Sequence, residues 1–225
     1  MALYNRNSKL AEAILEHPQI IPVVNRLGIY LGVGDSSIGS ACEHAHTDPD
    51  FFLSVVNTFL DEDYFPANPQ GTFTLGKTVE YLRKTAMFYR HVQLPNIERH
   101  FASLLSRSGA DNNLGLLQKF FEDMKKQLVE CLDYDDGSLY PSLERGVAPD
   151  DMMRSFSGHG EVEEKLQDLL TFFVVHLHGD YDRNLCMAVV TAIFSLDRDY
   201  RQNNRIRNRI LLPLLQKLQT KQQAD

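Results

Sequence analysis

The sequence predicts an all-α fold, and three observations carry that reading. No clean alternating run of β-branched residues occurs, so strand signals are nearly absent. Apolar residues instead recur at steps of three and four over long stretches. Two of these stripes also run from apolar residues into polar pairs. One reads Leu117, Phe121, Met124, Leu128, Cys131, Asp135, and the other reads Leu196, Asp199, Asn203, Arg207, Ile210, Leu214. That is the pattern of helices packed round a polar centre.

Taken in order, the first part reads as short helices with tight links. LAEAILEH is one. PQIIPVVNRLG is a second, with proline at its start and Gly28 as its C-terminal stop. After the loop YLGVGD comes SSIGSACEHA, with Ser36 as the expected N-cap. DPDFFLSVVNTFLDE follows, opened by Asp48 and Pro49. Phe52, Val55, Val56 and Phe59 form one face there, and with Phe51 they are expected to be buried. DEDYFPANPQGTF, with two prolines and a glycine, reads as a linker. Four longer helices are predicted over 74–106 (kinked near Pro95), 112–135, 159–178 and 182–219. The chain thus divides into a small helical domain over 1–65, a linker over 66–73 and a four-helix bundle over 74–225.

Composition narrows the class. At 225 residues, 43% hydrophobic and 24% charged, the chain can bury a sizeable core. No apolar run approaches a membrane span, and MALYNRNSKLAEA lacks the core of a signal peptide. Cys42, Cys131 and Cys186 are far apart and form no CxxC pair, so neither a zinc nor a redox motif is supported. A reduced, cytoplasmic protein without membrane association is expected. The net charge of −7 argues against direct nucleic-acid binding. GVGD and SGHGE lack the strand-then-helix setting of a phosphate loop, and no nucleophile–base spacing stands out. His176 and His178 read as charge complements to a helix end.

Two segments share one spacing. Cys131 and Asp135 precede Pro141, and Asn203 and Arg207 precede Pro213, each with a polar residue, a second four on, and a proline six beyond that. Residues at i and i+4 lie on one helix face, the placement that His and Glu use to clamp a metal in a bundle core. On these segments the chain resembles the hemerythrin-like di-iron proteins, and within them the group implicated in repair of iron–sulfur centres. The resemblance spans nearly the whole length. Residues from KLAEAILEH to FFLSVVN look like that group's N-terminal domain, with Leu31 and Gly32 near the place of its cysteine pair. TVEYLRKTAMFYRHVQLPNIERHF looks like the first bundle helix, with Ala86 where a His is expected. ECLDYDDGSLYP has Cys131 for His and Asp135 for Glu. GHGEVEEKLQDLL looks like the third helix, with His159 at a ligand place. DRDYRQNNRIRNRILLPLL has Asn203 for His and Arg207 for Glu.

The resemblance therefore implies a degenerate hemerythrin-like bundle with most ligands replaced. His100, Cys131, Asp135 and His159 are the residual candidates for a metal, since Cys, His and Asp are competent ligands. Arg207 argues against one, because a guanidinium is always charged and cannot ligate a cation. Two placements of Arg207 stay open: pairing inward with Asp135 beside Asn203, or lying in solvent. Arg198, Arg201, Arg205 and Arg209 form a basic stripe on the same helix. It is read as a solvated face partnered by Asp197 and Asp199, or as an interaction surface.

No cofactor is expected. The leading expectation is a non-enzymatic regulatory or protein-interaction protein, which the resemblance sets in bacterial stress response or transcriptional regulation. Its partner is a protein, and a homodimer is allowed. The alternative is an iron-binding hemerythrin-like protein serving iron–sulfur cluster repair or sensing of oxygen or nitric oxide.

Overall fold

The computed structural model describes residues 4–61, 63–64, 74–109 and 111–222. Among them the regular structure is all helix, joined by turns and loops, with two isolated β-bridges and no strand. The expected linker, 66–73, lies outside the described residues. The helices are α1 (Leu10–Glu16), α2 (Ile21–Arg26), α3 (Ile38–His44), α4 (Pro49–Leu60), α5 (Leu75–Phe88), α6 (Leu94–Arg107), α7 (Leu114–Tyr134), α8 (Tyr140–Glu144), α9 (Met153–Thr171), α10 (Arg183–Ile206) and α11 (Leu212–Gln222). Four five-residue π turns interrupt or end the long ones: π1 (Tyr89–Gln93), π2 (Asp135–Leu139), π3 (Phe172–His176) and π4 (Arg207–Leu211).

Packing divides the chain into two compact units. One holds residues 1–85 and 205–214, the other 86–204 and 215–225.

In the first unit, single residues set the helix ends. Gly28 ends α2 in the left-handed region at φ 86°. There the N–H of Gly28 reaches the carbonyl of Asn25 at 3.0 Å, and that of Ile29 reaches Val24 at 3.1 Å. These are the two bonds of a Schellman stop, whose backbone geometry glycine tolerates best. The cap of α3 is Ser37, whose side chain accepts from the Ser40 N–H, and not the expected Ser36. Asp48 caps α4, accepting from the N–H groups of Asp50 and Phe51, with Pro49 in the first turn. Phe51, Phe52, Val55, Val56 and Phe59 are all buried. Tyr81 of α5 meets Phe51 edge-on at 6.2 Å, Arg26 lies over its ring at 5.5 Å, and Lys77 pairs with Asp48. The short helices thus pack on the start of α5.

In the second unit, α6, α7, α9 and α10 contribute to one apolar core, built from Ile97, Phe101, Phe121, Leu128, Val162, Leu166, Val189 and Ile193 among others. The predicted stripes are the buried ones: Leu117, Phe121, Met124 and Leu128 on α7, and Leu196 on α10. Several boundaries differ from expectation. Helix α9 begins at Met153 rather than 159. The helix expected to stop at 135 continues through π2 into α8.

The π turns explain the prolines. A proline has no N–H and its ring collides with the carbonyl four residues earlier. For Pro95, Pro141 and Pro213 that carbonyl belongs to the middle residue of π1, π2 and π4. In each turn the residue just before the proline bonds back five residues: Leu94 to Tyr89, Tyr140 to Asp135, Leu212 to Arg207. The widened turn lets the helix continue past the proline. Near Pro95, where a kink is expected, the regular helix is interrupted by π1.

Candidate functional site

The buried centre of the second unit is polar. Asp135, the first residue of π2, is 1% exposed, and His159 of α9 is 2% exposed. His159 Nε2 lies 2.9 Å from Asp135 Oδ2, and His159 Nδ1 lies 2.5 Å from the hydroxyl of Tyr200 on α10. Ser155 Oγ donates to Asp135 Oδ1 at 2.6 Å, and Tyr140 donates to Oδ2 at 3.4 Å. An Asp135 carboxylate that accepts throughout satisfies these contacts, with His159 Nε2 as a donor to it and His159 Nδ1 against the Tyr200 hydroxyl. A carboxylate buried this deeply needs such donors, since burial without them is costly.

A second group adjoins the first through the rings of Tyr200 and Tyr89, which lie 5.8 Å apart. Asn203 Nδ2 donates to the Tyr89 hydroxyl at 2.9 Å and to the Asp199 carbonyl at 2.7 Å, with the Asp199 carboxylate at 3.2 Å. Asn204, next along, donates to the His159 carbonyl and to Glu163. Three helices and two π turns therefore share this hydrogen-bonded centre.

The residues singled out from sequence are placed as follows. Asp135 and His159 come together. Asn203 is buried in the adjoining group, and Ala86 is buried in the apolar core. Cys131 is half-buried on α7, with its Sγ close against Gly158 of α9. His100 is half-buried on α6. Arg207, at the start of π4, is 4% exposed and so is not in solvent. The arginine stripe is not one uniform face. Arg198 and Arg209 are exposed, while Arg201 forks onto Asp197 at 2.8 and 3.2 Å. Asp199, read as a partner of the stripe, is buried and accepts from Asn203. Burial pushes the Asp197 carboxyl above its ordinary value despite the pull of Arg201.

Sequence reasoning missed Tyr200, Tyr89, Ser155 and Tyr140. A signal existed for two of them. Tyr200 falls four residues after Leu196 and three before Asn203, inside the stripe already traced. Tyr89 stands six residues before Pro95, as Asp135 and Arg207 stand before theirs, so the shared spacing occurs a third time as Thr85, Tyr89, Pro95.

Among the described residues, no group of three or more His, Cys, Asp or Glu side chains is gathered to hold a metal ion. The lone N-terminal thiol, Cys42, is buried, which pushes its pKa to about 12, and burial also raises that of Cys186. Neither offers the exposed, low-pKa setting of a reactive thiolate. No helix among the described residues is long and apolar enough to cross a membrane.

Compared with protein families, with curated proteins and with solved structures, the chain has no match.

Proposed function

We propose that this chain is a hemerythrin-like bundle, preceded by a small helical domain, in which hydrogen bonding has replaced di-iron ligation. Its role is that of a non-enzymatic regulatory or protein-interaction protein. The observation that carries this reading is the environment of His159. Both ring nitrogens already face protein partners, Asp135 on one side and Tyr200 on the other, so neither nitrogen is turned to an open coordination place. Asn203 likewise spends its amide N–H groups on Tyr89 and Asp199. The setting in stress response or transcriptional regulation rests on the resemblance alone.

One observation favours the second reading, a residual iron site. Asp135 and His159 are both competent ligands and lie side by side. Elemental analysis after anaerobic, iron-supplemented expression separates the two. The proposal expects iron far below stoichiometry and no oxo-bridge absorption. Stoichiometric iron with such a band establishes the second reading.

A further inference from the structure

A cavity of about 230 Å³ lies between α7 and α9. Its walls include Gln127, Cys131 and Tyr134 from α7, and Ser155, Gly158 and Glu161 from α9. Several polar atoms on these walls are engaged by neighbours in the protein. Tyr134 donates to Asp151 at 2.6 Å, and Gln127 donates to Glu161 at 2.6 Å. Gly158 leaves room for the thiol of Cys131, since a Cβ there would stand 2.9 Å from the sulfur. Ser155 is different, because it belongs to two places at once. It borders the cavity, yet it is only 2% exposed, and its hydroxyl reaches to Asp135 Oδ1 at 2.6 Å. His159 and Tyr140, the other two donors named above for that carboxylate, do not border this cavity. One small residue therefore touches both the cavity and a carboxylate that is itself 1% exposed.

We propose that Ser155 is a gate through which water, and solutes no larger, pass from this cavity to the buried Asp135–His159 pair. In the observed arrangement the serine hydroxyl donates to Asp135 and closes the wall. A serine side chain has a single heavy-atom torsion, so one rotamer change turns the hydroxyl away and leaves the carboxylate facing the cavity. A water molecule entering from the cavity then donates in its place, and the carboxylate keeps its hydrogen bond at little cost. The competing route is an opening of the helices themselves, by local or global unfolding. Enlarging Ser155 moves the two routes in opposite directions. The inference uses only the contacts of Asp135 and the walls of the cavity, and does not depend on the role proposed for the chain.

The test follows exchange of the His159 ring N–H with solvent, by NMR of the metal-free full chain carrying nitrogen-labelled histidine. Ser155→Val fills the gate with methyl groups and takes a donor from Asp135, so it also lowers stability. Exchange through the gate then slows, whereas exchange through unfolding quickens. A second arm keeps the natural sequence. Methyl methanethiosulfonate transfers its S-methyl group to the Cys131 thiolate, forming a disulfide and releasing methanesulfinate, and so narrows the cavity. Cys42 and Cys186 are buried, and peptide mass analysis assigns the adduct. The expected result is reaction at Cys131 in the folded chain, slower His159 exchange in the adduct and in Ser155→Val, and recovery of the wild-type rate when dithiothreitol removes the adduct. A Cys131 that stays unreacted in the folded chain overturns the proposal, because the cavity is then closed to small molecules. An adduct that exchanges as fast as the free thiol overturns it too, as does a Ser155→Val chain that exchanges faster in step with its lost stability. Should Ser155→Val fail to fold, the adduct decides alone.

Discussion

Asp135 accepts from Ser155, His159 and Tyr140 in a place that water does not reach. Asp135→Ala leaves those donors unpaired, and each stranded buried group costs about 1–3 kcal/mol. A total loss of about 3–5 kcal/mol is expected from chemical denaturation, with Asp135→Asn losing clearly less because its carbonyl still accepts. Equal losses for the two variants would mean that packing, and not hydrogen bonding, holds this position. A second residue-scale test concerns Cys131 and Gly158. A Cβ at Gly158 would stand 2.9 Å from Cys131 Sγ. Gly158→Ala should therefore forfeit the gain of about 1 kcal/mol that alanine normally brings to a helix interior. Adding Cys131→Ala should recover part of it, and the double-mutant cycle reads this as a coupling between the two sites. At this scale the sequence is half legible. Asp135 and His159 can be nominated because carboxylate and imidazole announce chemistry. Tyr200, Tyr140 and Ser155 cannot, because an aromatic ring or a small hydroxyl inside an apolar stripe reads as ordinary core until its oxygen is seen to point at a partner.

Among the elements, the prolines are where local rule and observed structure meet. A proline in a regular helix interior costs about 3 kcal/mol. Pro141 follows π2, whose Tyr140-to-Asp135 bond already widens the turn. Pro141→Ala should thus stabilise by much less than 3 kcal/mol in a denaturant titration, and a full gain would show that the turn does not relieve the ring. The α4 cap gives a pH test. Lys77 beside Asp48, helped by the N–H groups of Asp50 and Phe51, holds that carboxyl below its ordinary value against the opposing effect of burial. A depressed carboxyl contributes its stability fully above its unfolded pKa, and that contribution is lost as pH falls through the lower folded value. Melting temperature should therefore drop on acidification below the ordinary carboxylate range, and more shallowly in Asp48→Asn. Parallel curves for the two would remove Asp48 from the acid response. Helix ends are legible where one residue sets them, as at Gly28 and at Asp48 with Pro49. They are not where neighbours are chemically equal: Ser36 and Ser37 differ only in which one the chain path turns toward Ser40. The π turns are invisible to a count at 3.6 residues per turn, since each adds a residue that the proline spacing alone marks.

For the whole molecule, the all-α reading follows from periodicity, and the structure agrees. Under the proposed function, the polar, hydrogen-bonded centre round Asp135 and His159 takes the place that the resemblance would give to two iron ions. Periodicity cannot decide this, because the same stripe can end in ligands or in hydrogen-bonding pairs. The most direct measurement is an anaerobic titration of ferrous iron into the metal-free chain, followed by calorimetry and by melting temperature. A ligand that binds the native state must raise the melting point in proportion to its occupancy. No saturable heat and an unchanged melting temperature are expected, with Asp135→Asn behaving as the wild type does toward iron. Saturable uptake that raises the melting temperature, and that Asp135→Asn abolishes, would contradict that expectation.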